Sequence, residues 1–477
     1  MRGDTGQLAK FISEVRYSDL PIEVSQKVKN ILFDSIGCAL GGYATDKAKI
    51  VLEWVREMGG NPQATIMGGG KTSASNAAFA NGELINALDW DCIGPLQAHV
   101  IPYVLPPCIA AAEMNHSSGK DLILAAAIAV EIGGRVGASV LQHREPIEEP
   151  PYYKLSPRYS HSPAVFGGSA GACKILKMDS TAVANALGIA GVSVPVAGMM
   201  KWQHNSGPSP MLKYNSWAGW IAQLGLVSAF MARKGFTSDA TVLDGDFGFW
   251  QIYGSPFFHR ESIFKNLGEI WHVMETEYKP YPNCRCNHGA IDGILKLMEE
   301  NGIAPEDISE IKVLGDSWLL TPSRSQKTIE GSVDTEFSVV YAFAMVPYYG
   351  KNPGPHWTMP IVYSDPRVIE MMKKVKVGVH PQADELIRKN LKAGKAPVLW
   401  LAQVEITARG RKYSTEVLEP WGKGQNVFGD KNIEQKFYQN ATFSPLPSPR
   451  VRRIAEMVKD LENIGDISEL IALTGIE

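Results

Sequence analysis

The run Tyr278-Lys279-Pro280-Tyr281-Pro282-Asn283-Cys284-Arg285-Cys286-Asn287-His288 brings two cations, two thiols and a histidine together. Pro280 and Pro282 fix φ and remove two backbone donors, so the segment is a stiff connector rather than a helix. His288 to Met298 then reads as an amphipathic helix, with Asn287 as a good N-cap. Backbone N–H groups and the dipole at a helix start favour an anion. Lys279 and Arg285 beside it point to a carboxylate or phosphate site. A Pro-rich surface turn with incidental charges is the plain alternative, and three further clusters weigh against it.

The first is Asp89-Trp90-Asp91 at the end of an apolar helix, followed by Gly94-Pro95 and His99. Two carboxylates at a helix C-terminus oppose its dipole and need compensation. Two readings stand level here: a solvated helix end, or carboxylates that face lysines or orient a histidine. The second cluster is His161, expected at the start of a Gly/Ala-rich helix over 164–176, where it reads as a cap or as a neutral base. The third is Lys213, expected in the first turn of a helix from Met211 to Arg233, where a cation requires an anion.

The elements that must position these residues are mostly helical. Three- and four-residue apolar spacing predicts helices over 8–15, 21–42, 49–58, 73–88, 109–114, 121–141 and 180–189. Residues 64–67 read as a short strand and 143–160 as a long Pro-rich loop. Gly68-Gly69-Gly70-Lys71-Thr72 is not a phosphate loop, because Thr65 stands where the first glycine belongs. Near residue 268 the pattern changes. Strands are expected at 272–277, 308–314, 375–380, 402–408 and 412–416, the last two joined as a hairpin through Arg409-Gly410-Arg411, with helices at 288–300 and 335–345. The tail from Asn432 is helical again. The expected fold is mainly α: a large all-helical domain (1–267 plus 419–477) and a smaller inserted α+β domain (268–418).

Composition narrows the function. A net charge of -3 with scattered basic residues gives no basis for nucleic-acid binding. The six cysteines are sparse for 477 residues and read as free thiols of a reducing, cytoplasmic compartment. Cys284-x-Cys286 lacks the spacing of the usual metal clips, so no metal is expected. The most apolar run, Leu122 to Val130, stops at Glu131 and Arg135, short of a membrane span.

Taken together, Phe33-Asp34-Ser35-Ile36-Gly37, the run Ser75 to Gly82 leading into Leu88-Asp89-Trp90-Asp91 and His99, the Lys213 segment with Ala218-Gly219, and Lys279 to Arg285 ending in His288 resemble the MmgE/PrpD family in content and order. The resemblance implies a helical domain with a late α+β insertion, a homodimer, and an active site between the two domains. It implies work on small di- or tricarboxylates without metal or organic cofactor. It maps catalytic positions onto Asp89, His99, His161, Lys213 and Lys279, and substrate-binding positions onto Cys284, Arg285 and His288. Cys284 stands where the family's decarboxylases carry a histidine, and Cys92-Ile93 and Val100 also depart from the common pattern.

The chemistry these residues could perform is removal of a proton next to a carboxylate. Lys213, Lys279 and Arg285 would supply fixed positive charge for the enediolate, and Arg285 could hold a carboxylate in bidentate fashion. His99 or His161 would accept the proton. The expectation is a dehydratase-type lyase of a citrate-like acid. Alternatives are an iminodicarboxylate epimerase, a cis-aconitate-type decarboxylase, and a polycarboxylate-binding protein without turnover.

Overall fold

A computed structural model describes residues 3–95, 99–140, 144–156, 160–195, 209–212, 217–393 and 401–476. The first part is a helical body: α1 (Gly3–Glu14), α2 (Ile22–Gly42), α3 (Asp46–Met58), α4 (Ala74–Asn86), α5 (Ile101–Met114), α6 (Gly119–Val140), α7 (Val165–Ile175), α8 (Ser180–Ser193) and α9 (Ala218–Arg233). Short antiparallel pairs, β1 (Ala64–Thr65) with β2 (Lys71–Thr72) and β3 (Arg144–Pro146) with β4 (Tyr153–Leu155), decorate it. The second pair is a hairpin inside the stretch expected to be all loop.

Serine, threonine and aspartate caps start several of these helices. Thr45 accepts from Ala48 N, Ser73 from Asn76 N and Asp179 from Ala182 N, each satisfying a donor the helix leaves open. α6 is long and apolar enough to cross a membrane, with mean hydropathy 1.6, yet 94% of that window is buried by the rest of the protein. It passes straight through the charges expected to end its apolar run. Glu131 and Arg135 lie one helical turn apart and pair at 2.6 Å, and Arg135 also donates to the carbonyls of Ile263, Lys265 and Ile270.

After two short helices the chain enters α10 (His288–Glu300), β5 (Ile308–Gly315), α11 (Val339–Tyr349), β6 (Val375–Val379), β7 (Ala402–Ala408) and β8 (Arg411–Val417). The sheet order is β6-β5-β7-β8, with β5 and β6 parallel and the other neighbours antiparallel. β7 alternates buried and half-buried residues, and its inward Val404 faces Gly293 of α10. Arg409 and Gly410, at φ 52° and 72°, form the tight turn between β7 and β8 that the right-handed twist of the strands favours. Helices α12 (Asp430–Ala441) and α13 (Ser448–Lys459) return to the first body, where Phe437 stacks on Phe33 with ring centroids 4.3 Å apart.

Two hydrophobic clusters result. One joins residues from Leu8 to Tyr278 with Phe428 to Ile471, and the other spans Tyr281 to Ala408. The main architecture is thus mainly α with a small mixed sheet. Three local expectations change. His272–Glu275 is a 3-10 turn, not a strand, because its bonds run locally, as from Met274 N to Trp271 O and from Thr276 N to Val273 O. The helix expected over 335–345 is two, Ser332–Phe337 and α11, broken where the Ser338 hydroxyl caps the second. The helix expected from Met211 begins at Ala218, and Lys213 lies outside the described residues.

Glycine sets how closely α6 and α7 pack. A Cβ on Gly167 would stand 2.2 Å from Ala129 O and 2.7 Å from Gly133 N, both rigid backbone atoms of α6. Gly167→Ala therefore destabilises the protein by about 1–3 kcal/mol through overpacking, despite the helix-forming tendency of alanine. Urea unfolding measures this, and a variant as stable as the parent would contradict so close an approach.

Candidate active site

The site is built where the end of α4 meets the Lys279 segment. Asp89 follows α4 with φ 49°, a left-handed conformation that aspartate tolerates better than most residues. That turn separates the two carboxylates flanking Trp90 and sends them to different partners. Lys279 Nζ stands 3.0 Å from Asp89 Oδ2 and also donates to Asp89 O. Asp91 Oδ2 accepts from His99 Nδ1 at 3.0 Å, while Asn86 Nδ2 donates to Asp91 Oδ1 at 3.3 Å. Facing a lysine and orienting a histidine are therefore both realised, by different members of the acidic pair.

Backbone contacts hold the two segments in register. Trp90 Nε1 donates to Lys279 O at 2.9 Å. Ile93 and Glu277 exchange both of their backbone bonds, at 2.9 and 2.8 Å. Beneath them Lys436 of α12 pairs with Asp34 of α2 at 2.7 Å and donates to Trp90 O at 2.6 Å. Lys279, Asp89 and Asp91 are at most 1% exposed, so these charges are out of water.

His99 has chemical freedom on its other nitrogen. With Nδ1–H given to Asp91, its Nε2 lies 3.9 Å from Asp89 Oδ1, beyond hydrogen-bond distance. His161 is buried with its ring 5.6 Å from that of His99 and 5.9 Å from that of Tyr103. It precedes the 3-10 turn Ser162–Ala164 that feeds α7, and its side chain does not cap that turn. Asp89, Asp91 and His99 bring ligand atoms within 4.8 Å of one another, a grouping that could hold a cation. Lys279 already supplies positive charge there.

The last part of the motif differs from expectation. Asn287 does not cap α10: the helix is entered through a 3-10 turn, Arg285–Asn287, and the Asn287 amide bonds Asn283 instead. Arg285, expected to grip a substrate carboxylate, donates to Trp421 O at 2.7 Å and pairs with Glu277 at 3.2 Å. His288, also expected to bind substrate, has Nε2 3.0 Å from Asn283 O and Nδ1 3.0 Å from Arg285 Nη1. That arrangement needs a neutral imidazole, and burial followed by the charges of Arg285 and Lys279 holds its pKa well below the usual range. Both residues brace the loop, and the expected anion seat is taken by Glu277 and backbone oxygens.

Cys284 remains within the site's electrostatic reach, where the charges of both Asp89 and Lys279 act on its thiol. Arg324 Nη2 donates to Cys284 Sγ at 3.2 Å. Nothing in the local sequence Ser323-Arg324-Ser325 marks this arginine, and only the tertiary structure brings it to the thiol. Asp34 and Lys436, the pair beneath Trp90, likewise lack any local signal as partners.

The buried Lys279–Asp89 pair generates a stability prediction. Lys279→Met leaves a buried carboxylate uncompensated and costs about 3–5 kcal/mol, whereas adding Asp89→Asn restores most of the loss. Urea unfolding of the two single variants and the double variant reads the coupling, and strictly additive losses would show that the charges are not paired.

Sequence comparison agrees with this architecture. Residues 6–260 match the MmgE/PrpD N-terminal domain and residues 281–463 the MmgE/PrpD C-terminal domain. The cis-aconitate decarboxylase-like protein oryM of Aspergillus oryzae is 26% identical over 98% of this chain and 96% of its own length. A cis-aconitate decarboxylase of Homo sapiens is 24% identical over 99% of this chain and 95% of its own. One from Aspergillus terreus is 27% identical over 62% and 60%, respectively. Both family domains, in order and over most of the sequence, establish that the chain belongs to the MmgE/PrpD family.

Proposed function

We propose that the protein is a cofactor-independent lyase that removes a proton beside a carboxylate of a small, citrate-like di- or tricarboxylic acid and eliminates a β-hydroxyl. The observation that carries this reading is the Asp91–His99 pair set beside the buried Lys279 ammonium. Asp91 fixes the imidazole tautomer and stabilises the imidazolium, so His99 Nε2 can take up or deliver a proton. Lys279 is a fixed cation in a water-poor site, where it stabilises the developing enediolate by a few kcal/mol. His161, packed near His99, is the second candidate for proton transfer, and Lys213 is retained as a further cation of the site.

A second reading, loss of a carboxylate as carbon dioxide from a cis-aconitate-like acid, is favoured by the names of the relatives. Both readings share the enediolate and the same need for positive charge. An epimerase would need a base on each face of the carbon and would form no alkene.

Proton exchange distinguishes these possibilities. Chelator-treated protein is incubated in D2O with citrate, methylcitrate, isocitrate, aconitate and amino- or iminodicarboxylates, and each is followed by NMR. Deuterium incorporation with a new alkene is the expected result. Release of carbon dioxide moves the assignment to a decarboxylase, and inversion without an alkene to an epimerase. No exchange with any acid sinks the lyase reading and leaves a polycarboxylate-binding protein.

A homodimer is part of the same proposal. Trp54, Met211, Trp217 and Trp220 are 37–45% exposed, and Trp217 stacks on Trp220 at 5.9 Å. Trp54, Met211 and Trp217 line an apolar groove of about 410 Å³ together with Ile50, Phe79 and Leu212. So much exposed aromatic surface calls for a partner, and a second copy is the occupant proposed. Light scattering is expected to give twice the chain mass and Trp217→Lys with Trp220→Lys to halve it, while a parent protein with the mass of one chain contradicts the dimer.

A further inference from the structure

Building on the lyase reading, we propose that Cys284 is the base that takes the proton from the substrate carbon, and that Arg324, whose guanidinium donates to its sulfur, is the positioning residue. His99 would then act as the acid.

The argument starts from how rigidly the thiol is placed. Cys284 N donates to Glu336 O at 2.9 Å, and Cys284 O accepts from Asn287 N at 2.9 Å, so the backbone is tied on both sides. Pro282 stiffens the approach. Arg324 is equally fixed. It is 1% exposed, its guanidinium lies 3.8 Å from the Trp318 ring centroid and 5.7 Å from that of Phe337, and Nη2 reaches Cys284 Sγ at 3.2 Å. A second buried arginine, Arg144, lies 4.6 Å from the same indole and 3.6 Å from Asp316. The sulfur thus sits next to a cation that cannot swing away.

Cys286 completes the arrangement. Its thiol, two residues along the chain, is half-buried. The neighbouring Cys286, then the charges of Arg324 and Lys279, lower the Cys284 pKa well below that of an ordinary thiol, against the opposing effects of burial and Asp89. Burial, and then Cys284, push the Cys286 thiol the other way.

His99 has the opposite surroundings. Its near neighbours are carboxylates, Asp91 at 3.0 Å and Asp89 at 3.9 Å. Two titratable groups in one site, one facing guanidinium and one facing carboxylate, are matched to opposite halves of an elimination. The thiolate takes the proton: an S–H bond forms, the C–H bond breaks, and its electron pair enters the adjacent carboxylate as an enediolate. That pair then expels the β-hydroxyl, which leaves as water with the proton of the His99 imidazolium. Before the next turnover Cys284 gives its proton to solvent and His99 takes one up, so both groups are restored and no oxidant or co-reactant is required.

The test has a reading that needs no substrate. The thiolate ultraviolet absorbance of the parent protein, minus that of Cys284→Ser, is titrated with pH. A thiolate that persists well below the ordinary thiol pKa of about 8.5 is expected. Arg324→Gln should move this titration upward and carry the low-pH limb of the exchange rate with it, because loss of the cation favours the protonated thiol. With whichever panel acid the parent protein exchanges, Cys284→Ser should slow deuterium incorporation by at least about 100-fold at unchanged melting temperature. If Arg324→Gln does not fold, the single-atom Cys284→Ser change and the parent titration carry the test. Cys284 titrating as an ordinary thiol, or Cys284→Ser exchanging at the parent rate, overturns the inference and leaves the lyase reading standing. Failure of the parent protein itself to exchange any acid is the distinct result that removes both.

Discussion

The contact on which the structure depends is the buried pairing of Lys279 with Asp89. It links the end of α4 to the loop that enters the second hydrophobic cluster, across 190 residues of chain. Taking two charges out of water is costly, and an ion pair seldom repays the cost with stability to spare. What the pair provides is definition. Asp89 adopts a left-handed backbone, Trp90 turns its indole N–H onto Lys279 O, and Asp91 points the other way to His99. A second buried pair, Lys436 with Asp34, supports the same strip of backbone from below through Trp90 O. The returning helix α12 thereby fixes the floor of the site, though it lies far from it in sequence.

The helical body meets this demand by close packing. Glycine at the α6–α7 contact and alanine along α5 to α9 allow backbones to approach where larger side chains would hold them apart. Rigid backbones are what make a histidine–carboxylate contact at 3.0 Å useful, since an imidazole that wanders by an ångström loses its alignment with a substrate proton. The Glu131–Arg135 pair inside α6 shows the same economy, with charges crossing an apolar core because each has a partner one turn away.

Charge is segregated across the site. Asp91 and Asp89 stand nearest His99, Arg324 donates to Cys284, and Lys279 is paired with Asp89. In the proposed reaction a polyanionic substrate would meet positive charge where its own negative charge grows. Arg285 and His288 stand beside these groups, and the Lys279 charge acts on the His288 imidazole. Their side chains are consumed by Glu277, Trp421 O and Asn283 O, and they stiffen the loop that presents Lys279 and Cys284.

The sequence by itself determined the element types, the shift to mixed α and β structure near residue 268, the family, and the identity of the chemistry-bearing segments. These follow from periodicity, turn residues and motif order, which are properties of neighbours along the chain. It could not say that 272–275 is a 3-10 turn while Glu277 pairs with Ile93, or that Asn287 does not cap its helix, because both depend on what stands opposite. Tertiary structure alone decided that Asp89 faces a lysine and Asp91 a histidine, that Arg285 and His288 brace rather than grip, and that Arg324 reaches Cys284. The physical reason is that a buried charge is defined by its partner. Such partners are brought together by packing of distant elements, so the local pattern around each charge carries no record of which one it will meet.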